Sequence, residues 1–177
     1  MNPSFPYRNV CVIGTSGSGK TTLSRELAHR IGAKYIELDA IFHLPSWVDM
    51  DPDEFRDAVA ERMRAERWVI DGNYMNYLRH LLEADLIIWL DYPFHIVLRR
   101  MLWRTVSRAI TKKELWNGNR ESFRNMFSKE SMVVWVFQTY WKRKKLFTKM
   151  IEMPAYSDSE WLHFRHPRDA RAWLKKL

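Results

Sequence analysis

Gly14-Thr15-Ser16-Gly17-Ser18-Gly19-Lys20-Thr21 has the residue types and the spacing of a phosphate cradle: glycine, four residues, then Gly-Lys-Ser/Thr. Its glycines let backbone N–H groups approach an anion where a Cβ would obstruct them. Lys20 places a point charge on the β- and γ-phosphates, and Thr21 offers its hydroxyl to Mg²⁺. Thr22 is grouped with them at the start of a helix whose N-terminal dipole points at the phosphates. The context has the required order. Val10-Cys11-Val12-Ile13 is an apolar strand-type run directly before the loop, and Leu23, Leu27 and Ile31 recur at helical spacing after it, up to Gly32. The alternative, a Gly/Ser-rich turn, is outweighed by motif and context together.

Two carboxylates are candidates for the chemistry beside this loop. Asp71 follows Trp68-Val69-Ile70 and precedes Gly72; at a strand end it is placed to hold Mg²⁺, directly or through water, the alternative being a turn aspartate. Asp39 closes the run Lys34 to Leu38; there it can take the proton of an acceptor hydroxyl, orient the acceptor, or cap a turn. Asp91 precedes Tyr92-Pro93, and local turn chemistry accounts for it. Arg100, Arg104 and Arg108 recur every four residues, so they line one helix face and suit a transferring phosphoryl group, against the alternative of a solvated basic face. Arg120, with Arg124, lies beyond Gly118 and suits delivery from a moving lid. Arg79 is a candidate for holding the acceptor. None of the histidines has zinc spacing, and His43 alone is placed toward the acceptor side.

These residues need elements to carry them. Apolar runs predict strands at about 9–13, 34–38, 67–70, 86–90 and 161–164. Between them the pattern predicts helices at about 20–31, from Asp51-Pro52-Asp53-Glu54 onward, over 74–83, over 93–110, over 131–150, and a short last one after His166-Pro167-Arg168. Residues 40–50 read as a loop, and 112–129, polar and basic with Asn117-Gly118-Asn119, read as mobile. Alternating strands and helices imply an α/β fold, a parallel sheet with helices on both faces. Ligands then bind at the strand carboxyl ends, where the loop, Asp39, Asp71 and Asp91 all fall.

Composition sets the outer limits. The chain has 177 residues, 46% hydrophobic, enough for one domain with a real core, spanning 1–177. Cys11 is the only cysteine, which excludes an internal disulfide and a cysteine-rich zinc site. The longest uncharged apolar run, Ser131 to Trp141, is too short to span a bilayer, so a cytoplasmic protein with no membrane partner is the default. The net charge of +8 is uneven: Arg99 to Lys149 holds 14 Lys/Arg against 3 Asp/Glu, leaving 15 against 18 elsewhere. That segment meets an anion, nucleotide phosphates or nucleic acid, or is a solvated face. For Arg99 and the run Lys142 to Lys145 the solvated face is preferred.

With these residues in view, the chain resembles the adenylate kinase-like P-loop kinases, and within them the topology modulation protein group. The resemblance runs from about Arg8 to Leu177. It rests on Gly14 to Thr21, Asp39, Trp68-Val69-Ile70-Asp71-Gly72-Asn73-Tyr74, Ala84 to Asp91, the arginine-bearing helix, Glu114-Leu115-Trp116-Asn117-Gly118-Asn119-Arg120-Glu121 and Phe164-Arg165-His166-Pro167-Arg168. It implies a three-layer P-loop NTPase fold with strand order 2-3-1-4-5, and a helical lid at about 104–130. It also implies adenine near Arg165 to Arg168, Arg168 included. Adenylate kinases carry Asp-Gly-Phe-Pro-Arg where this chain has Asp71-Gly72-Asn73-Tyr74-Met75, and the glycine triplet of shikimate kinases is absent there, so neither AMP nor shikimate is assumed. The expectation is a Mg²⁺- and ATP-dependent phosphotransferase with a small-molecule acceptor, acting as monomer or homodimer. Its rivals are a nucleic-acid-associated NTPase and a nucleotide-binding regulator without an acceptor.

Overall fold

A computed structural model describes residues 5–111, 114–119 and 132–177. Five strands form one parallel sheet: β1 (Asn9–Gly14), β2 (Lys34–Glu37), β3 (Trp68–Asp71), β4 (Leu86–Leu90) and β5 (Glu160–Phe164), in the order β2-β3-β1-β4-β5. The central strand is apolar because both of its faces are covered: Val10, Cys11, Val12 and Ile13 are all fully buried. The register sets Val12 beside both Asp71 and Ile88, and Gly14 beside Leu90. The carboxyl ends of β1, β3 and β4 are thereby aligned on one edge.

Alternate residues of each strand feed two cores. Val10 and Val12 pack with Leu23 and Leu27 of α1 (Lys20–Ile31), Val97 and Met101 of α4 (Phe94–Thr111), and Leu174 of α6 (Pro167–Lys175). Cys11 and Ile13 pack with Phe55 and Val59 of α3 (Pro52–Met63) and with Trp89. The long helix α5 (Met132–Ile151) belongs to both: Val136 and Tyr140 join the first core, Phe147 and Met150 the second. Residues 141–146 therefore make the passage from one side of the sheet to the other. Lys144, in that passage, reaches Asp91 just beyond β4.

Local chemistry sets the ends. Asp51 caps α3 by accepting from the N–H groups of Asp53 (2.8 Å) and Glu54 (3.3 Å), with Pro52 at the first helical position. Two stretches differ from expectation. Residues 40–50 are not all loop: a short helix α2 (Leu38–Phe42) follows β2 at once, because Leu38, Ile41 and Phe42 are buried at helical spacing. Residues 74–83 are not one helix but a turn closed by Leu78 N–H to Tyr74 C=O (3.0 Å), then a 3₁₀ turn, His80–Glu83. Leu78, Leu81 and Ala84 are buried every third residue, the 3₁₀ period.

Candidate functional site

The phosphate loop is tied down from three directions. The carboxamide of Asn73 accepts from the N–H of Gly14 (3.1 Å) and donates to its C=O (2.9 Å). Arg100 of α4 donates to the Ser18 C=O (3.0 Å). Gly17 has φ of 87°, and a Cβ there would stand 2.9 Å from the Val97 C=O, so only glycine admits this approach of loop to helix. Gly19, at the N-cap of α1, supplies no side-chain cap, and the first turn carries no acidic residue. The leading N–H groups of α1 are thus left for an anion. Lys20 Nζ folds back toward the Thr15 C=O (3.4 Å).

Thr21 Oγ1 donates to Asp71 Oδ2 at 2.6 Å, and Tyr35 donates to the same oxygen at 3.3 Å. Asp71 Oδ1 is buried and accepts no hydrogen bond. Burial raises the Asp71 carboxyl to about 6, against the opposing pull of Lys20 and the Thr21 hydrogen bond. Burial likewise lowers the Lys20 ammonium, with Asp71 and Asp39 opposing it and Arg143 and Arg104 adding to it. A buried carboxylate oxygen with no donor, beside a hydroxyl, is suited to a hard cation. No group of three or more His, Cys, Asp or Glu among the described residues makes a complete metal cage. The fit is therefore to Mg²⁺, which keeps water and phosphate oxygens and needs few protein ligands.

Asp39 lies in the first turn of α2, two residues past the end of β2. Its Oδ1 accepts from the Tyr74 hydroxyl (2.7 Å), which lies 3.5 Å from His43 Nε2; His43 Nδ1 in turn meets Asp49 (3.2 Å). Arg143 lies near both Asp39 and Tyr74: burial lowers its affinity for its proton, and those two groups offset that only in part. One residue of the basic run expected to be solvated is therefore turned toward the site. Helical periodicity carried the signal, since Val136, Tyr140, Phe147 and Met150 face inward and Arg143 falls between them.

The segment expected to be mobile is, over 114–119, docked on the loop after α2. Trp116 Nε1 donates to Glu37 (2.9 Å), Asn117 Nδ2 to the His43 C=O (2.6 Å), and Asn119 Nδ2 to the Leu44 C=O (2.9 Å), while the Trp47 N–H donates to Asn119 Oδ1 (2.9 Å). Ser46, Trp47 and Asn117 all have positive φ, so two strained turns hold one another.

The remaining candidates are placed as follows. Arg104 lies near enough to Lys20 to depress it, and Arg108 is half-buried on the same helix. Thr22 and Arg79 are exposed, and the hydrogen bonds that assemble the site do not include Arg79. Arg168 is exposed and pairs with Asp169 (3.3 Å). Arg120 and Arg124 lie outside the described residues. Asp91 is buried, and its oxygens receive Lys144 (3.0 Å) and His163 (3.0 Å), so an ion pair, more than turn chemistry, accounts for it. Asn73, Tyr74 and Tyr35 hold the site although their residue types announced no chemistry.

Residues 10–91 match the ATPase family associated with various cellular activities (AAA). Curated relatives include a protein named "Putative adenylate kinase" from Thermococcus kodakarensis, 32% identical over 106 residues, covering 56% of this chain and 58% of that one. Another is a cytidylate kinase from Pyrococcus furiosus, 28% identical over 137 residues, covering 67% and 70%. The chain spans 58% of the length of the first of these. Among solved structures, a shikimate kinase from Bacteroides thetaiotaomicron superposes with a TM-score of 0.56 at 13% identity, covering 96% of both chains. A shikimate kinase from Acinetobacter baumannii in complex with shikimate gives 0.53 at 16% identity, covering 97% and 90%. No helix among the described residues is long and apolar enough to cross a membrane. Sheet order, phosphate loop and these likenesses together give the chain the fold of the P-loop kinases.

Proposed function

We propose that the chain moves the γ-phosphoryl group of ATP to a hydroxyl of a small molecule. The observation that carries this reading is the Thr21–Asp71 pair behind the loop, with Asp71 Oδ1 lacking a donor and Asp39 close enough to Lys20 to act on it. Gly14 to Thr21 hold the phosphates, and Lys20 neutralises the β- and γ-oxygens. Thr21 and Asp71 hold Mg²⁺, which when bound neutralises phosphoryl charge. Asp39 takes the proton of the acceptor hydroxyl, with Tyr74 fixing the orientation of its carboxylate. Arg100 steadies the loop, and Arg104, Arg108 and Arg120 supply cations for the charge that spreads over the phosphoryl oxygens. The names of the relatives, kinases of small molecules, support the same class. Labelled ATP incubated with a panel of hydroxyl compounds tests it, with a Lys20→Ala chain controlling for contaminating kinases. Phosphate release with no transfer to any member would sink it and favour a regulator.

A nucleic-acid-associated NTPase remains a second reading on one observation. Helices α4 and α5 carry four and five Lys/Arg and no Asp/Glu, with Trp103 and Trp141 75% and 61% exposed. It predicts binding to single-stranded DNA or RNA that weakens steeply with salt. No binding at low salt removes it.

A further inference from the structure

We infer that the acceptor is an uncharged or cationic polyhydroxyl compound, such as a sugar, a cyclitol, a nucleoside or an amino sugar, and not an anion. This inference rests on the kinase reading and narrows its substrate.

The segment that carries Asp39 out of β2 has one sign of charge along its sequence. From Glu37 to Glu54 the chain holds six carboxylates, Glu37, Asp39, Asp49, Asp51, Asp53 and Glu54, and no Lys or Arg. Several are held in place by the fold. Glu37 receives Trp116 and pairs with Arg25, Asp49 meets His43, and Asp51 caps α3. Asp39 uses Oδ1 for the Tyr74 hydroxyl, and among the described residues Oδ2 accepts no hydrogen bond. A hydroxyl or ammonium group satisfies that oxygen; a phosphate or carboxylate brought beside it meets like charge.

An anionic acceptor needs cations arranged to receive it, usually a fork of arginine N–H groups. The cation set against this segment from α5 is Arg143, and Asp39 is the charge that sustains it. Arg25, from α1, is paired with Glu37. Arg100 is spent on the phosphate loop. Arg79 stands exposed at the head of its 3₁₀ turn.

The same segment carries part of an aromatic wall. His43 stands edge-on to Trp47 at 5.6 Å and lies nearly parallel to Trp116 at 6.1 Å, and Tyr74 approaches its Nε2. Trp47 is 39% exposed. The hydrogen bonds from Asn117 and Asn119 fix this cluster against the loop instead of leaving it to collapse on solvent. Flat apolar faces beside a few placed oxygen acceptors are a lining for a neutral ring that carries hydroxyl groups. In the step itself, the acceptor oxygen forms its bond to the γ-phosphorus as the bond from that phosphorus to the β,γ-bridging oxygen breaks. ADP leaves with the bridging oxygen's electron pair, and the hydroxyl proton passes to Asp39.

The test uses the full chain and a Lys20→Ala control. ATP binding is measured first by calorimetry. Labelled ATP is then offered with a neutral and cationic set (glucose, myo-inositol, thymidine, glucosamine) and with an anionic set (AMP, CMP, shikimate, glycerate). Lys20-dependent ATP binding with label entering the first set at least about tenfold faster supports the inference. Lys20-dependent ATP binding with label entering the anionic set overturns the inference and leaves the kinase reading standing. Binding with label entering neither set overturns the inference and counts against the kinase reading. Absence of Lys20-dependent ATP binding overturns the kinase reading itself. Within the first set, Trp47→Ala is expected to raise the acceptor KM by about tenfold with ATP affinity unchanged; an unchanged KM overturns the aromatic wall.

Discussion

The carboxamide of Asn73 closes a two-bond ring with the peptide of Gly14, accepting at 3.1 Å and donating at 2.9 Å. The ring joins the end of β3 to the first residue of the phosphate loop, across 59 positions of sequence. Asn73→Ala leaves both Gly14 groups without partners where water has limited access. The expected cost is roughly 1–3 kcal/mol of stability, with weaker ATP binding because the loop loses its anchor. Asn73→Asp keeps the acceptor, loses the donor and adds a negative charge beside the phosphates, so its ATP affinity is expected to fall below that of the alanine variant. Denaturant midpoints and calorimetric ATP titrations of the two variants check this order.

Asp71 couples stability to pH in a direction opposite to that of a salt-bridged aspartate. Its carboxyl sits at about 6 in the folded chain against 3.8 as the ordinary value, chiefly through burial. Between those values the folded chain holds a proton that the unfolded chain releases, so the group's contribution to stability falls as pH rises through the window. At about 1.4 kcal/mol per tenfold change in proton affinity, the loss is on the order of 3 kcal/mol by neutral pH. Asp71→Asn removes the titration. Without nucleotide, the variant is expected to gain stability over the parent chain as pH rises from 4 to 7, and at pH 7 to lose Mg²⁺-dependent ATP binding. Parallel unfolding curves that keep a constant separation across that range would refute the assignment.

The strands and the phosphate loop were readable because each is a local signal. Val10 to Ile13, Leu86 to Leu90 and the glycine spacing announce themselves within ten residues. What escaped is non-local. Asn119 and Leu44 are 75 positions apart, and an Asn-Gly-Asn run looks the same whether it is docked or solvated. Arg143 is the exception: it sits in a basic run of uniform charge, and the helical stripe of Val136, Tyr140, Phe147 and Met150 is what separates it from exposed Lys142 and Lys145. Helix α2 is five residues long, too short for a periodicity to show against Pro45 and Trp47 beyond it.

Asn119 is 4% exposed and spans two backbone groups of the acceptor loop, the Leu44 C=O and the Trp47 N–H. Asn119→Ala removes both bonds and is expected to cost about 1–3 kcal/mol. Because Ser46 and Trp47 are held at positive φ, release of the strap should let this turn relax. Faster amide exchange at Trp47 with unchanged exchange in β1 is the expected signature. Equal acceleration in both would mean global destabilisation and no local strap.

Tyr74 separates the two roles open to Asp39. Its hydroxyl donates to Asp39 Oδ1 at 2.7 Å, and burial, the charge of Asp39 and that hydrogen bond all push the phenol's proton affinity up, so it stays a donor at any working pH. Tyr74→Phe removes the hydroxyl and keeps the ring that packs on Phe42 and Phe55. If Asp39 takes the acceptor's proton, kcat should fall as the orientation of its carboxylate loosens, with KM little changed. If Asp39 only orients the acceptor, KM should rise with kcat little changed. The split of the effect between kcat and KM, measured on the parent and the variant chain, distinguishes the two.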